Sequence, residues 1–187
     1  MMLALQDEGC ENVNLVSPTH VSPHWVTALD MAARRGLRIP LVHNSGGYED
    51  TALLKMMNGT VDIYLPDLKT MDSERAGRWF DAPDYPDVAT TAIIEMNRQV
   101  GSLVTDDRGI AVGGLVVRHL VMPGSTRDSL DVMNFLASIG PGTAVSILSQ
   151  YRPLANADVH QEIARRPTPD EVHVVESEAR RLGLRIV

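Results

Sequence analysis

Polar and charged side chains recur directly after short apolar runs. Ser17-Pro18-Thr19-His20 follows one run, His43-Asn44-Ser45-Gly46-Gly47-Tyr48 a second, and Asp67-Leu68-Lys69 a third. Arg118-His119 lies inside a fourth run, ahead of Pro123-Gly124, and Ser149-Gln150-Tyr151-Arg152-Pro153 follows a fifth. Asp67 and Lys69 lie two apart, so an extended chain shows both on one face. A carboxylate beside an ammonium suits a zwitterionic ligand; a local ion pair also accounts for them without function. Arg118 in an apolar strand needs either a structural partner or a ligand carboxylate. Ser17-Pro18-Thr19 reads as a turn and helix cap or as a ligand contact. Gly46-Gly47 is either a plain turn or a place where backbone N–H groups approach a ligand. His20, His24, His43 and His119 raise a metal-dependent hydrolase, but neither H-x-H nor H-E-x-x-H spacing is present. Lys69 lacks the hydrophobic niche of a Schiff-base lysine. Trp25 and Trp79 read as packing residues.

The runs that carry these groups are residues 12–17 (NVNLVS), 39–44 (IPLVHN), 61–66 (VDIYLP), 114–122 (GLVVRHLVM) and 144–148 (AVSIL), with a weaker one at 184–187. They are rich in Val, Ile and Leu with weak alternation, as in strands buried on both faces of a parallel sheet. Helical periodicity fills the gaps. Residues 23–35 carry Val26, Leu29 and Ala33 on one stripe and stop at Gly36; residues 49–58 stop at Gly59. Residues 85–100 place Val88, Ala92, Glu95 and Gln99 on one stripe. Residues 126–139 start at a candidate N-cap. Residues 168–182 open with Thr168, Pro169 and Glu171, a capping-box pattern. Residues 72–80 read as partly helical inside a polar insertion. This alternation predicts one α/β domain over 1–187, with parallel strands and right-handed crossovers, in a doubly wound sheet or a barrel. In such folds chemistry gathers at the C-terminal strand ends, where the polar groups above fall.

Composition narrows the function classes. No G-x-G-x-x-G, Walker motif or G-x-S-x-G is present. A net charge of −7 without a basic block argues against nucleic acid as a partner. No apolar run is long enough for a membrane span, and the first residues do not read as a signal peptide. Cys10 is the single cysteine, which excludes an internal disulfide and fits a reducing, cytoplasmic setting.

In order and spacing, NVNLVSPTHVSPHWVTALDMAARRGLRIPLVHNSGGYE, VDIYLPDLK, APDYPDVATTAIIEMNRQVG, GLVVRHLVMPG and SQYRP resemble the radical S-adenosylmethionine proteins related to pyruvate formate-lyase activating enzyme. The likeness runs from about Asn12 to the C-terminus and is greatest to the uncharacterised homologues of that family. It implies a partial (β/α)6 barrel with S-adenosylmethionine and a [4Fe–4S] cluster held by C-x-x-x-C-x-x-C. In that family one-electron cleavage of the sulfonium yields methionine and a 5′-deoxyadenosyl radical, which takes hydrogen from a substrate. For true activating enzymes the substrate is a glycine backbone. On the family pattern Ser17 and Thr19 fall where the cofactor's amino group is contacted, and Asn44 and Ser45 near the ribose. Asp67 and Lys69 match a D-x-K segment, and Arg118 matches the arginine of R-x-x-x-x-P-G. Tyr151 lies on the last strand, which closes over the substrate.

The thiols depart from that pattern. No C-x-x-x-C-x-x-C is present, and Cys10 precedes NVNLV, on the wrong side for the cluster loop; it reads as a small packing residue. The helix-like 1–8 stretch corresponds to the helix after the family's first strand. The resemblance therefore implies a barrel lacking that strand, with the cluster loop supplied by an upstream or separate segment. Such a chain has no redox chemistry of its own. Its NVNLV strand becomes an apolar edge, prone to pairing with other chains. Three functions follow as expectations: the cofactor-binding part of a radical enzyme, a cluster-free nucleoside or S-adenosylmethionine binder, or a metal-dependent hydrolase. No catalytic residue and no substrate, protein or small molecule, is assigned.

Overall fold

The computed structural model describes residues 1–154, 157 and 159–187. Among them are seven strands: β1 (Val13–Val16), β2 (Leu41–Ser45), β3 (Ile63–Pro66), β4 (Val104–Thr105), β5 (Ala111–Leu120), β6 (Ala144–Leu148) and β7 (Arg185–Ile186). Seven α-helices alternate with them: α1 (Met2–Asp7), α2 (Ser22–Ala33), α3 (Thr51–Met56), α4 (Ser73–Phe80), α5 (Tyr85–Val100), α6 (Thr126–Ile139) and α7 (Pro169–Arg181). The hydrogen-bonded order is β1-β2-β3-β5-β6-β7, with β4 antiparallel on β5. This is the expected α/β class with a parallel sheet. The two-residue β4 is an addition to the expectation, because a pair that short leaves no periodicity to read.

The chain forms two compact units. The first comprises Met1–Pro66 and Thr91–Val116, the second Asp67–Thr90 and Val117–Val187. In the first, β1, β2 and β3 run parallel, with Val16 opposite Asn44 and Asn44 opposite Leu65. β1 is the last strand on its side of the ladder, and Val16 is 70% exposed there. From β2, His43 lies against the rings of Trp25 and of Tyr64 on β3, at centroid separations of 6.3 and 5.6 Å. Polar residues on the buried stripe of α5 complete this core. The buried Tyr64 hydroxyl needs a partner and donates to Gln99 Oε1 at 2.8 Å; Gln99 Nε2 donates to the Leu54 carbonyl and to Glu95, each at 2.8 Å. Arg98 holds the other side of Glu95 with two hydrogen bonds.

In the second unit β6 and β7 are parallel, Ala144 opposite Arg185. The expected capping box forms on α7: Glu171 N donates to Thr168 Oγ1 at 3.2 Å, and Thr168 N donates to Glu171 Oε2 at 2.7 Å. Glu171 also accepts from Gly124 N at 2.7 Å and from Arg165. These charge-assisted bonds hold its carboxyl well below the usual carboxylate range, Arg165 being the chief cause. The start of α6 differs from expectation. Ser125 stands at the N-cap without a side-chain cap and turns its hydroxyl to the Pro123 carbonyl.

Gly114 in β5 is fixed by close approach. Its φ is +105°, and an added Cβ would overlap the Ser102 carbonyl and stand 2.6 Å from Leu103 Cα, all backbone. Gly114→Ala is expected to destabilise the chain by about 2–4 kcal/mol through strain and overlap. Urea melts of variant and parent check this, and unchanged stability contradicts the close approach.

Candidate functional site

Asp67 follows the last residue of β3, and Arg118 stands near the end of β5. The two residues are bridged as parallel strands, with Leu68 N donating to the Arg118 carbonyl at 2.9 Å. The side chains meet as well. Arg118 Nε and Nη2 lie 2.8 and 2.6 Å from Asp67 Oδ1, and Lys69 Nζ lies 3.4 Å from Asp67 Oδ2. One carboxylate thus sits under two cations, all three groups part-exposed. The expectation that Asp67 and Lys69 share a face holds through this pair.

The segment that presents them is pinned at several points. Tyr85 Oη donates to the Asp67 carbonyl at 3.0 Å and accepts from Lys69 N at 3.1 Å. His119 Nδ1 is 2.7 Å from the Leu68 carbonyl and Nε2 is 2.9 Å from Ser129 Oγ. The carbonyl can only accept, so Nδ1 carries the proton and Nε2 accepts from the serine. Asp128 accepts from the Thr70 hydroxyl at 2.7 Å and from Met71 N at 2.8 Å. Burial keeps His119 neutral by pushing its pKa down. Tyr85 stays a phenol because burial raises its pKa.

Asp67, Lys69 and Arg118 line a cavity of about 340 Å³ together with Gln150, Tyr151 and Arg152. Of the sequence-derived candidates, Asp67, Lys69, Arg118 and Tyr151 thus share one cavity of the second unit. The Tyr151 hydroxyl is committed to the Ile163 carbonyl at 2.9 Å, so its ring is what the residue presents.

The other candidates belong to the first unit. Ser17, at φ +50°, ends β1, and its backbone N donates to the Asn44 carbonyl at 2.8 Å. Asn44 and Ser45 are buried at the end of β2. Thr19 Oγ1 lies 2.7 Å from both carboxyl oxygens of Glu49, which is itself buried. Burial raises the Glu49 pKa, against the hydrogen bonds from Thr19 and Ser45. Sequence position alone does not single out Glu49, although it joins Thr19 and Ser45 here. Its only sequence signal was a carboxylate just after a glycine turn. Gly47 N donates to Ser45 Oγ at 3.3 Å, with Gly47 at φ +81°, so the glycine pair forms a turn closed on Ser45.

The histidines do not assemble. His20 and His24 are exposed, His43 is buried between aromatic rings, and His119 is tied to Leu68 and Ser129. Among the described residues no group of three His, Cys, Asp or Glu side chains is arranged to hold a metal ion. Cys10 is a half-buried free thiol. Among the described residues no helix is long and apolar enough to cross a membrane.

Comparison with known proteins adds the following. No family model matches the chain. The uncharacterised protein MJ0674 of Methanocaldococcus jannaschii is 30% identical over 165 residues, which cover 87% of this chain and 44% of that protein. The chain therefore spans less than half the length of this curated relative. A crystal structure of a domain of pyruvate-formate lyase-activating enzyme from Bacteroides vulgatus aligns over 94% of this chain and 96% of that domain. The TM-score is 0.65 at 15% identity. That likeness shows the fold.

His43 supplies a pH test of the first unit. Neither ring nitrogen finds a hydrogen-bond partner, and burial pushes its pKa down to about 4. The unfolded chain takes up this proton near the ordinary histidine value while the folded chain resists it. Stability from this group is complete above pH 6.5 and is lost as pH falls towards 4, by about 3 kcal/mol. Urea melts at pH 7, 5 and 4 should show a loss smaller by roughly that amount in His43→Leu than in the parent. Equal losses in both proteins would rule His43 out as the cause.

Proposed function

We propose that this chain carries the S-adenosylmethionine-binding part of a radical S-adenosylmethionine protein related to pyruvate formate-lyase activating enzymes. The observation that carries the reading is the joint position of Asp67, Lys69 and Arg118 in one cavity at the ends of parallel strands. Its volume lies in the range of small-molecule sites. The methionyl end of S-adenosylmethionine carries an ammonium and a carboxylate. Asp67 is the one group of the three that attracts the ammonium, and Lys69 and Arg118 attract the carboxylate. The fold likeness and the order of the sequence motifs support the same reading.

A [4Fe–4S] cluster does not fit these residues. Cys10 is the single thiol, and such clusters take several cysteine thiolates. A cluster working with this chain draws its thiolates from polypeptide outside the 187 residues, whether an upstream segment or a separate chain. The chain's own share is then to bind and orient the cofactor, and reductive cleavage is not assigned to it. The single cysteine also favours a second reading, a stand-alone binder of S-adenosylmethionine or a related nucleoside without radical chemistry. The adjacent coding sequence separates the two. A C-x-x-x-C-x-x-C encoded upstream or in a neighbouring gene supports the radical protein, and its absence leaves the binder.

Calorimetry of the purified chain with S-adenosylmethionine tests the shared premise. Saturable binding is expected, weakened tenfold to about a hundredfold in Arg118→Met, since a charge-assisted hydrogen bond contributes about 1.5–3 kcal/mol. No heat and no thermal shift with the parent chain would sink both readings.

A further inference from the structure

A second cavity, of about 410 Å³, lies in the same unit. Tyr151, Arg152 and Leu154 line both cavities, so they form a common wall. Away from that wall the second chamber is lined by Trp79, Phe80, Met122, Ala157 and Ile163, with His160 as a further polar side chain. It is mainly apolar and aromatic, whereas the first is mainly charged. The aromatic side is built and fixed. Trp79 and Phe80 stand edge to face at 6.2 Å and 77°, and Phe80 and Tyr85 are tilted at 5.9 Å. Cations hold these rings from their faces. Lys69 Nζ is 5.9 Å from the Phe80 centroid and 5.8 Å from that of Tyr85, and Arg75 Cζ is 5.7 Å from Trp79. Phe80 thus links the charged cavity to the aromatic one.

Charge decides what such a chamber takes. Lys69, Arg118 and Arg152 line the charged cavity against Asp67 alone, an excess of two positive charges (three less one). Asp67 is already engaged by Lys69 and Arg118, whereas Arg152 is exposed at the common wall. Leu154, 76% exposed, leaves apolar surface beside it. The geometry points to a binding site for a small apolar or aromatic carboxylate. Its hydrocarbon body fills the space beside Trp79, Phe80 and Met122, and its carboxylate meets Arg152. It shares the wall of Tyr151, Arg152 and Leu154 with the proposed cofactor cavity, while its aromatic body lies outside the Asp67, Lys69 and Arg118 contacts, and the inference does not rest on cofactor binding.

Ligand-observed NMR on the purified chain tests it with three probes of one shape: 4-phenylbutyrate, its amide, and 4-phenylbutylamine. The acid is expected to bind saturably, the amide at least tenfold more weakly, and the amine not at all. In Arg152→Gln the preference for acid over amide should disappear. Ala157→Trp, at a position lining only the aromatic chamber, should abolish binding of the acid. Equal binding of acid and amide, or acid binding untouched by Ala157→Trp, overturns the inference; so does a parent chain that binds no acid. S-adenosylmethionine calorimetry on the same samples keeps the two readings apart. Acid binding without cofactor binding defeats only the proposed function, and the converse defeats only this chamber.

Discussion

Backbone polar groups that leave a sheet must find partners without water, and the stretch after β3 shows how this chain meets that demand. Asp67 to Met71 departs from the ladder among packed side chains, Leu68 and Thr70 being fully buried. Its amides and carbonyls are taken up by Arg118 O, Tyr85, His119 and Asp128. Each partner comes from a different element or from its own end of β5. The Asp67 and Lys69 side chains thus rise from a backbone anchored at Asp67 O, Leu68 N, Leu68 O, Lys69 N and Met71 N.

Such pinning has an energetic meaning. A carboxylate under two cations at a part-exposed site contributes little to stability, since water competes for all three charges. Its worth is positional. Binding to groups already fixed costs the protein less conformational entropy. The neutral His119 is part of the same economy: with both nitrogens occupied it orients Leu68 and leaves the cavity's charge to Asp67, Lys69, Arg118 and Arg152.

Much of the fold was legible in the chain. The limits of α5, α6 and β6 follow from periodicity and glycine stops, and the α7 capping box from three residues. The grouping of Asp67, Lys69, Arg118 and Tyr151 was legible from strand-end position alone. Their supports were not. Tyr85, Asp128 and Ser129 act from other elements, Asp128 across 58 residues to Thr70, through hydrogen bonds that leave no periodic trace. The four histidines show how residue type alone can mislead. Residue type suggested metal, but burial uses His43 as a packing ring and His119 as a backbone clamp. Glu49 escaped notice because its partner Thr19 lies 30 residues earlier, on a different turn.

Gly114 carries a consequence beyond the folded state. Any single-nucleotide change that alters a glycine codon yields a side chain with a Cβ or a stop. At this position any such side chain enters the backbone of Ser102 and Leu103. The locus is closed to gradual drift, because no one-step neighbour in the genetic code is sterically milder than alanine. A lineage that lost this glycine would first have to re-route the 101–103 segment away from β5.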